Sequence, residues 1–167
     1  RLAHVPGEIR PTLETAAVLG RRFDFDTLLA VTREPEGALL DAVEALVKRH
    51  LLREEGEGGV YDFSHDKVRE VVYRDIGGAR RKLLHRSVAE ALERRGEGEA
   101  HERDARLAEH YERAQVWSKA LEYLVLAGER MKNVTTEVAT SIMSKTIDPV
   151  ERQFGFTMPA LIALVTQ

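Results

Sequence analysis

The chain contains no cysteine, which excludes a disulfide framework and thiolate metal sites and fits a reducing compartment. It also lacks a basic excess: 25 Lys and Arg stand against 28 Asp and Glu, for a formal net charge of -3. A dedicated nucleic-acid binder carries the opposite balance, because neutralising phosphates takes cations. Long apolar runs are missing too. The longest candidate, Met158 to Val165, is broken by Pro159 and falls far short of the about 20 residues that a membrane span needs. The chain opens on Arg1, shows no charged-then-apolar secretory pattern, and reads as a segment of something longer.

Signatures of catalysis are equally scarce. There is no G-x-x-x-x-G-K-[ST] loop to cradle phosphates, no G-x-S-x-G elbow and no H-E-x-x-H pair. Ser64, His65 and Asp66 are triad-type residues, but they are contiguous, and neighbouring side chains diverge instead of lining up as nucleophile, base and orienter. No two of the six histidines stand four apart on one helical face, so no metal site is expected. His4, His50 and His101 read as solvated surface residues.

What is present describes a globular chain with a charged surface, since 43% of residues are hydrophobic and 32% charged. Its 167 residues suffice for one domain with a core and a second small one. Helical spacing predicts a first helix over Pro6 to Gly20, starting nearer Ile9 if Pro11 lies in the first turn. A short helix follows from Asp26 to Val31, with Asp24 or Asp26 as its N-cap and Phe23 and Phe25 facing inward. A third begins after Pro35 and runs to about His50, its stripe being Leu39, Leu40, Val43, Leu46 and Val47. Leu51-Leu52 and Val60 to Phe63 then flank a glycine-rich turn at Gly56, Gly58 and Gly59, the pattern of a β-hairpin.

Three helices and a two-stranded hairpin make a winged helix, assigned to residues 1–76. Helices are expected over His65 to Ile76 and Arg80 to Arg95, with Gly77-Gly78 as the break. Ala105 to Ala114 and Trp117 to Met131 read as an antiparallel helical pair, giving a helical region over 77–133. From Val134 the composition shifts towards Ser and Thr; residues 134–167 form a tail of unclear affiliation, with a helix near Thr136 to Lys145 and another after Pro159. The fold class expected is therefore mainly α.

The most informative stretch runs from Tyr61 to Tyr73. His65 falls at a strand-to-helix junction beside helix N-terminal N–H groups, where an anion could bind. Equally, Ser64 and Asp66 could cap the helix while His65 packs. The basic run Arg80, Arg81, Lys82, His85 and Arg86 spreads around more than one helical face and reads as a solvated helix start.

Three blocks carry a family resemblance: Thr15 to Phe23, Phe63 to Tyr73 with its Phe-Ser-His-Asp start, and Arg81 to His85 followed by Val88-Ala89. From about Leu2 to Met131 the chain resembles the region after the nucleotide-binding core of STAND signal-transduction ATPases, the group of maltose-regulator-like activators. The resemblance implies a cytoplasmic regulatory module, not itself an enzyme, that couples the nucleotide state of an adjacent ATPase domain to helical repeats. It implies ADP or ATP for the parent and no cofactor for this chain alone, with His65 as an ADP phosphate sensor. Residues 105–131 resemble one tetratricopeptide repeat, through which a protein partner could be met; Gln115 stands where that repeat often has Gly. Two other functions remain in view: a DNA-binding winged helix, opposed by Glu34, Glu36, Asp41 and Glu44 along the third helix, and a scaffold without nucleotide sensing.

Overall fold

Pro11 decides where the first helix starts. Lacking an N–H, it fits only the first turn, and in the computed structural model α1 spans Arg10–Leu19 with Ile9 at its N-cap. The structure describes residues 5–56, 58–96 and 100–130. Expectations for the tail after residue 133 lie outside the described residues. In chain order the other elements are β1 (Arg22–Asp24), α2 (Phe25–Thr32), α3 (Glu36–Lys48), β2 (Leu52–Glu55), β3 (Val60–Phe63), α4 (Asp66–Asp75), α5 (Gly78–Arg95), α6 (Ala100–Arg113) and α7 (Trp117–Arg130). Among the described residues the chain is mainly helical with one small antiparallel sheet.

The sheet has three strands, not two. β3 lies in the middle, paired with β2 on one edge and β1 on the other. Sequence periodicity missed β1 because three residues are too few to show alternation; Phe23 points into the core between exposed Arg22 and half-buried Asp24. Its ring stacks on Tyr61 at 6.1 Å and meets Phe63 edge-on at 6.4 Å. Across the turn, Gly56 (φ 70°) and Gly59 (φ 63°) take up left-handed backbone that other residues adopt at a cost.

Helix ends are set by local hydrogen bonds. Asp24 accepts from the Thr27 N–H at 2.7 Å and caps α2. α3 stops at Lys48, short of the expected His50, because His50 takes a left-handed φ of 57°. The His50 N–H then donates to the Val47 carbonyl and the Leu51 N–H to that of Leu46, a Schellman closure with Leu46 and Leu51 both buried. Leu40, expected in the buried stripe, is 43% exposed. It lies outside the arc of Leu39, Val43 and Leu46, which face the core.

Two compact units divide the described chain, one reaching Arg94 and the other beginning at Arg95. The first is built on a cluster that includes Leu13, Leu28, Leu39, Leu46, Phe63 and Val72. Val88 and Ala91 of α5 belong to the same cluster, so α5 packs with the elements before it, beyond the boundary expected at residue 76. In the second unit α6 and α7 pack on each other through Leu107, Ala108, Tyr111, Ala120 and Ala127, and Tyr111 stacks on Tyr123 at 5.8 Å. Gln115 joins them with φ 61°, the left-handed position where glycine is the usual choice.

Candidate functional site

β3 runs out at Phe63, and the chain turns directly into α4. Ser64 donates its N–H to the Leu51 carbonyl at 3.1 Å, which ties the junction to the start of β2. His65 is the N-cap residue, with extended backbone (φ -147°, ψ 135°), and its carbonyl accepts the Val68 N–H. Its side chain is exposed and makes no capping bond. The packed alternative for His65 is thereby corrected: nothing buries it.

Asp66 does not cap either. It opens α4, where a carboxylate is favoured by the helix dipole, and its Oδ2 accepts from Arg21 Nη1 at 3.0 Å. The same guanidinium reaches back to Asp62, its Nε standing 3.3 Å from Oδ1. Arg53 Nη2 bonds the other oxygen of Asp62 at 2.6 Å. Asp62 is only 4% exposed, in the central strand. Burial by itself would push its carboxyl up, but the hydrogen bonds and charges of Arg53 and Arg21 outweigh burial and hold it below the ordinary carboxylate value. One buried carboxylate thus holds two arginines, of which Arg21 also reaches Asp66 at the helix start that carries His65.

Sequence reasoning missed this clamp. Its only visible signal was a carboxylate placed between Tyr61 and Phe63 in a strand, where it would need cationic partners on both neighbouring segments. Ser64, His65 and Asp66 do not assemble as a triad, since Asp66 is engaged by Arg21. The glycines of the β2–β3 turn lie at the other end of β3 from His65. Among the described residues no group of three or more His, Asp or Glu could hold a metal ion. None of the helices described is long and apolar enough to cross a membrane.

The basic run at the start of α5 is largely engaged within the chain. Arg80 Nε stands 2.7 Å from Glu14 Oε2, close enough for an ion pair though not aligned as a hydrogen bond, and Arg86 pairs with Glu90 at 3.4 Å. Arg81 lies over the Tyr73 ring at 5.0 Å. His85 is buried, not solvated, with its Nε2 2.8 Å from the Tyr73 hydroxyl. No protein-family model, curated protein or solved structure matches the chain.

Proposed function

We propose that the chain is a non-catalytic regulatory region of a larger STAND-type signal-transduction ATPase of the cytoplasm. In this proposal residues up to α5 form a winged helix, α6 and α7 begin a tetratricopeptide-like antiparallel region, and the whole couples the nucleotide state of an adjacent ATPase domain to later helices. The observation that carries it is the position of His65 at the N-cap of α4, where its side chain is exposed and makes no capping bond to the helix. An imidazole there can donate to a phosphate oxygen while the first-turn N–H groups add their partial positive charge. Asp66 at the same helix start would oppose an anion, and the Arg21 guanidinium 3.0 Å away offsets it.

The order helix, strand, two helices, two strands supports the winged-helix assignment. ADP or ATP would be held mainly by the ATPase domain, with His65 reading the diphosphate and biasing the region between two arrangements. A DNA-reading winged helix is the competing function. Glu36, Asp41 and Glu44 are exposed on α3 and would meet the polyanion with like charge. A scaffold without nucleotide sensing differs in giving His65 no role. Hydrogen exchange at the Lys67 to Arg69 amides of the parent protein separates these. Slower exchange with ADP than with ATP is expected; identical exchange in both states would refute the sensing role.

A further inference from the structure

Two large hydrophobic side chains are left exposed among the described residues: Leu40 on α3, at 43%, and Leu83 on α5, at 63%. Each sits in a row of one charge sign. Glu36, Leu40 and Glu44 recur every four residues on one face of α3. Arg80, Leu83 and Arg86 recur every three on one face of α5. The two rows match in pattern and oppose in charge.

The α3 row borders a groove of about 270 Å³ lined by Phe25, Leu40, Gly59 and Tyr61 together with the acidic Asp24 and Asp26. No lining residue is cationic. The negative field extends further, because Glu54 and Glu44, after burial, raise the Tyr61 hydroxyl above its ordinary value. At that volume the groove is below the roughly 300–1,000 Å³ of a small-molecule pocket and suits one apolar side chain. On α5, the first acidic residue after Arg80 in the chain is Glu90. Arg80 and Arg86 each have a partner in Glu14 and Glu90, yet their side chains remain 55% and 58% exposed and can share a second carboxylate. Glu44 is likewise exposed beside Lys48.

We propose that the α3 groove receives the Arg80–Leu83–Arg86 row of a second copy of this chain, Leu83 entering beside Leu40 while the arginines meet Glu36, Glu44 and Asp26. The two surfaces differ, so the contact is head-to-tail and leaves one groove and one row unfilled at the ends. It is small and rimmed by exposed charges, which makes it weak and salt-sensitive. It does not depend on the role of His65.

Sedimentation velocity of the chain from low concentration to about 1 mM, at low and high salt, provides the test. Concentration-dependent association is expected at low salt, weakened at least about tenfold by Leu40→Ser or by Leu83→Ser with helicity unchanged. An equimolar mixture of those two variants should form a 1:1 dimer and nothing larger, since each retains the surface that the other has lost. Glu44→Lys and Arg86→Glu, each of which sets like charges against each other, should each weaken association alone and restore it when mixed, a charge-based check should either serine variant fold poorly. A monomer throughout, association untouched by both serine substitutions, or a mixture that fails to pair would overturn the proposal.

Discussion

Replacing Asp62 by Asn should expose how much the two-arginine clamp contributes to the first unit. The carboxylate is nearly fully buried, and Arg53 and Arg21 bond its two oxygens at 2.6 and 3.3 Å. Asn has almost the same shape but offers one acceptor oxygen and turns an amide N–H pair towards the other guanidinium. One charge-assisted bond is therefore lost, at about 1.5–3 kcal/mol in a protected setting. Both arginines are more than half exposed, at 56% and 54%, so water screens part of that loss. The expected destabilisation is about 1–2 kcal/mol, a fall in melting temperature on the order of 10 °C for a unit of this size. The pH dependence carries the sharper test. Because the folded carboxyl is held below its ordinary value of 3.8, its stabilisation is present in full above that pH and fades as pH falls through the folded value. Urea midpoints of both proteins, taken from pH 7 downward, should converge in acid. A gap that stays constant with pH, or none at pH 7, would refute the reasoning.

Truncating the core behaves differently: Leu46→Ala removes a fully buried side chain of α3 and should cost about 2–5 kcal/mol by urea unfolding, with little pH dependence. Asp24→Ala removes the cap of α2, whose carboxylate takes the Thr27 N–H and hydroxyl, and should lower stability by about 1 kcal/mol in the same assay. His50→Gly relieves the left-handed backbone after α3 and should raise stability by up to about 1 kcal/mol; a loss of stability would mean that the His50 side chain contributes more than its strain costs.

Much of the architecture was legible because its signals are periodic. The buried arc Leu39, Val43 and Leu46 announces α3, and the glycines around residue 58 announce the turn between β2 and β3. β1 was not legible, since its place is fixed by pairing with β3 and not by any pattern of its own. The burial of His85 was hidden for a related reason: its partner Tyr73 stands twelve residues away, and only the packing of α5 beside α4 brings them together. At the candidate site, the strand-to-helix junction and His65 could be read from the chain. The Arg21–Asp62–Arg53 clamp could not, because its members come from three segments whose neighbours are set by the sheet. Leu40 shows the limit of a stripe argument: its spacing suits the core, but the acidic residues four positions either side place it on the solvent face.

The measurement that bears most directly on the proposed function is nucleotide affinity in the larger ATPase that the proposal calls for, comparing His65 with His65→Ala by calorimetry. Since the His65 side chain is exposed and makes no capping bond, the substitution should leave helicity unchanged. Loss of a phosphate contact should weaken ADP by about tenfold, roughly 1.4 kcal/mol, while ATP affinity changes less. Equal ADP affinity in the two proteins would contradict the account and leave this region with no nucleotide-sensing role for His65.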